Sequence, residues 1–342
     1  MKIEHFAFNL RFKYPFTISR GTKTHQPTFI VSLEQFGEKG YGEAPAITYY
    51  HILVEKMAAD LENKKQMIEK FSFTEPDRFW HFLHHLIPDN PFLVCALDIA
   101  AWDLYGKLRK KPLYQCWNLK WDNIPLTDYT IGIDTIDKMV EKMLARPWPI
   151  YKIKLGTDHD ADIMRTLRKH TDAILRVDAN SGWTLQQALD ILPALAECGV
   201  EFVEQPLDKE DLDGMRILFE KSPIPLIADE SCVSEQDVEK CYGLFHGINI
   251  KLTKCSGLTP ALRMIQNARK LNMKVMAGGM NESSIGSAAV GHLLPLLDYV
   301  DMDGILLLDE DIATGLRIEN GLAVLSGKAG LGVEFTGLTV NS

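Results

Sequence analysis

Two lysines lie two residues apart in a short apolar stretch of the chain. Lys152 and Lys154 belong to the sequence YKIKLG, residues 151–156. In a β-strand, residues i and i+2 point to the same side of the sheet. On a solvent-facing side this spacing needs no explanation. Inside a closed barrel, however, two buried ammonium groups would require acidic partners, because burial of an unpaired charge is costly.

Strand-like runs with polar ends recur through the rest of the chain. Lys154, Asp178, Glu204, Asp229 and Lys251 follow one another at intervals of 22 to 26 residues. The eight runs read IPLTDYTIG, YKIKLG, ILRVDAN, EFVEQP, PLIADE, INIKLT, KVMAGG and YVDMDG, with helical patterns between them. This repeat predicts an α/β fold of the TIM-barrel type, because an open doubly wound sheet leaves the eightfold repeat unexplained and no G-x-G-x-x-G follows any run.

Three acids end three consecutive predicted strands. Asp178, Glu204 and Asp229 would converge at the carboxyl end of the barrel, where functional residues of this architecture lie. Carboxylate oxygens without thiolate or imidazole favour a hard divalent cation, Mg²⁺ first and Mn²⁺ second. The alternative is that each acid caps a helix or pairs with a lysine.

The lysines are predicted to flank this site. Strands 2 and 6 of an eight-stranded ring face each other, so Lys154 and Lys251 would lie on opposite sides of a bound substrate. One could remove an α-proton from a metal-bound carboxylate substrate and the other return a proton to the opposite face, which yields the epimer. Lys152 would bind a substrate oxygen and lower the proton affinity of its neighbour.

Asp301 and Asp303 share one side of the last predicted strand, by the same i, i+2 rule. That strand lies opposite strand 4, across the mouth from the metal. A pair of acids there suits a substrate ammonium group. The alternative is a turn acid followed by a helix cap.

The composition limits the possible partners. The 342 residues carry 37 Lys and Arg against 46 Asp and Glu, a formal charge of −9, which argues against nucleic acid as a partner. No apolar run reaches the roughly 18 residues of a membrane-spanning helix, and the N-terminus lacks a signal-peptide pattern. We therefore expect a cytoplasmic protein that binds a small molecule and has no membrane partner.

The first third of the chain has a different pattern. Alternating residues up to about position 45 predict a small antiparallel sheet, and helical periodicity follows from about 51 to 118. We therefore predict an α+β domain over residues 1–118.

Several motifs now carry a family resemblance. KIK, RVDANSGW, VEQP, ADES and NIKLTKCSG, with ALDIAAWDLYGK before them, resemble the muconate-lactonising subgroup of the enolase superfamily over nearly the whole chain. The resemblance implies a modified (β/α)7β barrel at 119–317 and an N-terminal α+β capping domain at 1–118, which the C-terminal tail at 318–342 rejoins. It also implies capping loops near 16–26 and 46–52 that close over the substrate, and a homo-oligomer.

Within this subgroup, o-succinylbenzoate synthases and muconate cycloisomerases look the same at the lysines and metal ligands. The sequence DMD at 301–303 resembles the Asp-x-Asp with which dipeptide epimerases hold the free α-amino group of the substrate. The favoured interpretation is a dipeptide epimerase acting on the C-terminal residue of an L,L-dipeptide, with Thr130 and Met280 as further substrate contacts. A non-catalytic binding protein is the alternative from another class.

The resemblance also suggests a substrate preference. Epimerases specific for Ala-Glu carry an arginine in the first capping loop, and Gly21 takes that position here. Arg20 and Lys23 are expected to face away, because an offset in an extended loop turns a side chain. We therefore expect a small first residue, such as Ala, and an uncharged, aliphatic second residue.

Overall fold

The N-terminal part of the computed structural model, which describes residues 1–18 and 21–337, is a three-stranded antiparallel sheet covered by helices. Its strands are β1 (Lys2–Ile18), β2 (Gly21–Gln35) and β3 (Glu38–Pro45). Helices α1 (Val54–Glu69), α2 (Pro76–Leu86), α3 (Pro91–Arg109) and α4 (Leu113–Cys116) follow. A side chain at Gly42 would collide with the Ala96 carbonyl, at 1.9 Å from an added Cβ, so the glycine lets α3 approach β3 closely.

The second part is a barrel of eight parallel strands in consecutive order. They are β4 (Tyr129–Ile131), β5 (Ile150–Lys154), β6 (Ile174–Asp178), β7 (Val200–Glu204), β8 (Leu226–Ala228), β9 (Gly247–Ile250), β10 (Lys274–Gly278) and β11 (Tyr299–Asp301). A parallel bridge between Thr127 and Val300 joins the last strand to the segment before the first. The predicted barrel is therefore confirmed.

Helices separate the barrel strands. They are α5 (Ile136–Ala145), α6 (Asp160–Arg168), α7 (Leu185–Glu197), α8 (Leu212–Lys221), α9 (Asp237–Cys241), α10 (Leu252–Cys255), α11 (Leu258–Lys270) and α12 (Ser284–Gly291), and only a short α13 (Gly304–Leu307) follows the last strand. This is the expected (β/α)7β arrangement. Within the described residues, no helix combines the length and apolar character needed to cross a bilayer.

The residues inside the barrel change from apolar to polar along the barrel axis. Phe202, Ile227 and Met276 form a buried apolar cluster with Tyr299 packed against it. Two residues further along each strand, the same alternation brings polar or small residues to the inner face, such as Glu204 after Phe202. The apolar cluster is thus a floor, and the charged residues lie above it at the carboxyl ends of the strands.

Two buried acids attach the N-terminal domain to the barrel. Asp98 of α3 accepts hydrogen bonds from the Thr259 backbone N–H (2.9 Å) and hydroxyl (2.7 Å) at the start of α11. Glu43 of β3 accepts bonds from the Ser283 backbone N–H (3.0 Å) and the Gly286 N–H (2.9 Å) at the start of α12. Carboxylates at helix N-termini satisfy unpaired N–H groups and interact favourably with the helix dipole.

The C-terminal segment returns to the N-terminal domain. It contains β12 (Ala313–Thr314), β13 (Leu316–Glu319), β14 (Leu322–Leu325) and β15 (Glu334–Phe335). The Leu331 N–H donates to Asp103 of α3 at 2.7 Å, and the ring of Phe335 lies 5.1 Å from that of Tyr41. We retain the domain limits 1–118, 119–317 and 318–342 as a proposal, with residues 338–342 outside the described part.

His292, just after α12, predicts how stability depends on pH. Its Nδ1 accepts the Tyr114 N–H at 3.3 Å and its Nε2 lies 3.1 Å from the Leu331 carbonyl, while burial lowers its pKa to about 4. An unfolded histidine, with a pKa near 6.5, binds a proton that the fold excludes. The free energy of unfolding should therefore fall by about 2 kcal/mol as the pH drops from 6.5 towards 4.

Urea unfolding of the wild type and His292→Gln across this range measures the effect. The variant should lack this part of the pH dependence, because glutamine does not titrate. Equal pH dependence in both proteins would contradict the assignment to His292.

Candidate active site

A cavity of about 770 Å³ lies at the carboxyl ends of the barrel strands, beneath the N-terminal domain. Both predicted capping loops contribute to its wall, with Phe16, Gly21, Thr22 and Lys23 from the first and Ile47, Thr48, Tyr49 and Tyr50 from the second. The barrel contributes Thr130, Lys154, Asn180, Asp229, Glu230, Lys251, Gly279, Met280, Asn281, Asp301, Asp303 and Gly304. Eight of the eleven residues singled out from the sequence therefore line one cavity, and the other three lie buried next to it.

Lys154 and Lys152 both point into the barrel, but only Lys154 reaches the cavity. Lys154 Nζ lies 2.6 Å from Asp178 Oδ2. Lys152 is fully buried, with its Nζ 2.7 Å from Glu204 Oε2, 2.8 Å from Asp301 Oδ2 and 3.3 Å from Asp178 Oδ2. The opening question is thereby answered, because each lysine has acidic partners.

The pKa of Lys152 reflects this environment. Burial alone would lower the pKa, but the charges of Asp301, Glu204 and Asp178 outweigh burial and hold it well above the usual range. Lys152 therefore carries a charge that compensates three acids. Its predicted contact with a substrate oxygen stays a prediction.

Glu204 lies next to Asp178 on the neighbouring strand, in direct register. Its Oε1 accepts a hydrogen bond from Asn249 Nδ2 at 2.7 Å, whereas Oε2 accepts no well-oriented hydrogen bond despite its proximity to Lys152. Burial, and then the charge of Asp178, raise the pKa of Glu204 to about 7. Two adjacent buried carboxylates thus repel each other, and additional positive charge would stabilise both.

Asp229 lies beyond the end of β8, opposite Lys251. Lys251 Nζ is 2.8 Å from Asp229 Oδ2, and Lys254 Nζ is 2.5 Å from Oδ1. Burial would raise the pKa of Asp229, but the two lysines lower it far below the usual range. Burial likewise opposes the charge of Lys251, but Asp229 and Glu204 raise its pKa above the usual range.

Asp178, Glu204 and Asp229 offer oxygen donors that suit a divalent cation, but in this structure they lie close to lysines. Over residues 1–18 and 21–337, acidic, histidine and cysteine side chains form no group of three or more arranged to hold a metal. Asp178, Glu204 and Asp229 nevertheless supply hard oxygen donors on three consecutive strands, and Glu204 Oε2 lacks a hydrogen bond. The donor set therefore suits Mg²⁺, and the ligand roles of the three acids stay predictions.

Asp301 and Asp303 also line the cavity, and Asp301 shares the ammonium group of Lys152 with Glu204 and Asp178. Burial would raise the pKa of Asp301, but Lys152 and further lysines lower it to about 2. Burial and the charge of Asp301 raise the pKa of Asp303 to about 7, while its Oδ2 accepts the Thr130 N–H at 2.6 Å. A substrate cation close to these two acids would stabilise the charged form of both.

The first capping loop departs from one expectation. Gly21 lines the cavity, but so does Lys23, which was expected to face away. The two residues are two positions apart on β2, so strand alternation turns them to the same side, and the expectation for Lys23 was wrong. Burial lowers the pKa of Lys23. Arg20, also expected to face away, lies outside the described residues.

Sequence reasoning missed two residues that hold the site together. Asn249 occupies the inner face of β9 two residues before Lys251, and its amide orients Glu204. Lys254 follows Lys251 by three residues, within the quoted motif NIKLTKCSG. The i, i+2 rule could have found Asn249, whereas Lys254 is on a helical turn and its contact with Asp229 depends on the fold.

Comparison with known proteins places the chain in a family. The family model "Mandelate racemase / muconate lactonizing enzyme, N-terminal domain" matches residues 2–116, and "Enolase C-terminal domain-like" matches residues 135–338. Together these two models cover most of the chain.

Individual proteins are similar over nearly their whole length. An L-Ala-D/L-amino acid epimerase of Flavobacterium johnsoniae is 49% identical over 335 residues, which are 98% of this chain and 100% of the relative. An L-Ala-D/L-Glu epimerase of Bacteroides thetaiotaomicron is 38% identical, over 97% of this chain and 88% of the relative. The crystal structure of a dipeptide epimerase from Cytophaga hutchinsonii, complexed with Mg and the dipeptide D-Ala-L-Val, has a TM-score of 0.91 at 28% identity and covers 97% of this chain and 95% of its own.

Proposed function

Because the chain belongs to the mandelate racemase and muconate lactonizing enzyme family of the enolase superfamily, we propose that it is a Mg²⁺-dependent dipeptide epimerase. Its reaction inverts the α-carbon of the C-terminal residue of an L,L-dipeptide. The relatives described above carry names of this activity, and one structure contains Mg and a dipeptide. The enzyme is thus an isomerase.

The observation that carries this proposal is one cavity lined by both lysines and acids. Lys154, Lys251 and Asp229 line it, beside the other acids suited to a cation, and Asp301 and Asp303 line it as well. A dipeptide has a carboxylate at one end and an ammonium group at the other. The arrangement therefore suits both ends of this substrate at once.

The two lysines perform the proton transfers in this proposal. Mg²⁺ held by Asp178, Glu204 and Asp229 would supply positive charge that stabilises the negative charge developing on the substrate carboxylate as the α-proton leaves. Lys154 removes or delivers the proton on one face, and Lys251 acts on the other. Both can reach the cavity, whereas Lys152 remains beneath it and compensates the acids.

Asp301 and Asp303 bind the substrate ammonium group, and Thr130 orients Asp303 through its N–H. Met280 contributes apolar surface to the cavity wall. Mn²⁺ can replace Mg²⁺ in an all-oxygen ligand set. A cytoplasmic location and a homo-oligomeric assembly complete the proposal, and light scattering of the purified protein tests the assembly.

Two other reactions of the subgroup remain as alternatives. The o-succinylbenzoate synthase and muconate cycloisomerase reactions use the same lysines and metal ligands but have no ammonium group to hold. Dehydration of the o-succinylbenzoate precursor without any action on dipeptides would favour the synthase. Absence of α-proton exchange with D₂O for any dipeptide would favour a non-catalytic binding protein.

The paired lysines predict that loss of one lysine abolishes epimerisation but not all exchange of the α-proton. Lys154→Ala and Lys251→Ala should each abolish epimerisation, because one face of the α-carbon loses its base. Each variant should still exchange the α-proton of the one epimer whose C–H bond faces the surviving lysine. Mass spectrometry in D₂O with each pure epimer measures this.

Lys240→Ala provides a matched control, because this lysine is exposed on α9 and pairs with Asp237. EDTA treatment should stop exchange, and Mg²⁺ should restore it. An alanine variant of either cavity lysine that epimerises at nearly the wild-type rate would remove that lysine from the mechanism.

The acid pair predicts a dependence on the substrate ammonium group. Asp301→Asn and Asp303→Asn should each lower kcat/KM for a dipeptide roughly 10- to 150-fold, the loss expected for one hydrogen bond to a charged group. An N-acetylated dipeptide should be a poor substrate of the wild type and insensitive to either change. If the variants retain wild-type kcat/KM for the free dipeptide, the assigned orientation of the substrate is wrong.

The capping loop predicts the preferred second residue of the dipeptide. Gly21 supplies no side-chain charge, and Phe16 and Ile47 add apolar surface to the wall, so L-Ala-L-Leu should be a better substrate than L-Ala-L-Glu. Lys23 supports a second candidate, an acidic second residue, because in the described chain no acid pairs with this half-buried lysine.

Steady-state kinetics with both dipeptides distinguishes these candidates. If the enzyme prefers an apolar second residue, Lys23→Met should leave the order of preference for the two dipeptides unchanged. The control Lys56→Met, at a distant exposed lysine, should also leave it unchanged. A tenfold preference of the wild type for L-Ala-L-Glu that disappears in Lys23→Met would establish the second candidate and overturn the first.

A further inference from the structure

Lys254 is a buried lysine outside the cavity with no part in the proposed proton transfers. Its side chain is 0% exposed. Its Nζ donates to Asp229 Oδ1 and to the Asp229 carbonyl, both at 2.5 Å, and to the Cys232 carbonyl at 3.1 Å. All three donor hydrogens of the ammonium group are thus used within one turn of the chain, residues 229–232.

The contacts of Lys254 distinguish the two oxygens of Asp229. Oδ1 contacts the buried Lys254, whereas Oδ2 contacts Lys251, which lines the cavity. Displacement of the carboxylate from this orientation would break a short charge-assisted hydrogen bond in a buried site. The turn itself is held independently, because Gln205 Oε1 accepts the N–H groups of Asp229 (3.0 Å) and Ser231 (3.1 Å).

We propose that Lys254 is a positioning residue that holds Asp229 so that only Oδ2 is available to a divalent cation. The inference rests on the proposed function, in which Asp229 is a metal ligand. Groups that orient a ligand from behind commonly change metal affinity 10- to 100-fold when they are lost. Lys254 does not line the cavity, so it touches neither substrate nor the reacting atoms.

A purely structural role would make a different prediction. Loss of any buried ion pair destabilises the fold, but only loss of a pair that orients a metal ligand weakens metal binding. Lys107 provides the comparison, because its Nζ lies 2.7 Å from the buried Asp103 and also donates to a carbonyl, that of Lys39, far from the cavity. The two lysines thus make similar contacts, but only Lys254 contacts a proposed metal ligand.

Isothermal titration calorimetry of metal-free full-length enzyme with Mg²⁺ tests the inference. Lys254→Met should raise the Mg²⁺ Kd 10- to 100-fold, whereas Lys107→Met should leave it unchanged even where both variants lose a similar amount of Tm. At saturating Mg²⁺, the KM of Lys254→Met for a dipeptide should return to within about twofold of wild type. Lys254→Gln, which retains a donor, should give an intermediate Kd.

The outcomes separate this inference from the proposed function. If the wild type fails to bind Mg²⁺, the proposed function is wrong; if Lys254→Met binds Mg²⁺ as tightly as Lys107→Met, the positioning role is wrong. Should the Lys254 variants not fold, a crystal structure of the wild type with Mg²⁺ decides. One Asp229 oxygen bonded to Lys254 and the other on the ion would support the inference, whereas an ion bound by both oxygens, or by the oxygen that contacts Lys254, would overturn it.

Discussion

Mutual compensation of buried charges is the constraint on which the site depends. Glu204 and Asp178 lie side by side without exposure to water, and Lys152 lies between them and Asp301. Removal of one member would leave an unpaired buried charge, which is far more costly than loss of the pair. A divalent cation among the acids would take over part of this compensation. The cavity lysine Lys251 would then lose proton affinity, as a base requires.

Buried acids with compensating partners also join the two domains. Asp98 and Glu43 are buried acids whose partners are helix N-termini rather than lysines, and they attach the capping domain to α11 and α12. These helices follow β9 and β10, the strands that lead to Lys251 and Met280. The capping loops that carry Lys23 and Tyr50 are therefore held in position over the same part of the barrel whose residues flank the substrate in our proposal.

Alternation along strands explains what could be read from the sequence and what was misread. The i, i+2 spacing correctly predicts that Lys152 and Lys154 share one side of a strand. Asp301 and Asp303 both line the cavity, but strand alternation does not explain this, because β11 ends at Asp301 and Asp303 is the N-cap residue of α13. Applied consistently, it also brings Lys23 to the side of Gly21, contrary to our expectation. The rule gives direction but not depth, so it could not show that Lys152 ends beneath the cavity while Lys154 reaches it.

The amino-acid sequence alone determined the eightfold repeat, the polar residues at the strand ends and the charge types available for chemistry, because strand periodicity and composition are local properties. Tertiary structure decided which charges meet. Lys254 joins Asp229 across 25 positions, and Thr130 joins Asp303 across 173. Such contacts depend on barrel closure and on the depth of each side chain. No local pattern specifies them, since their energies arise only when distant segments exclude water together.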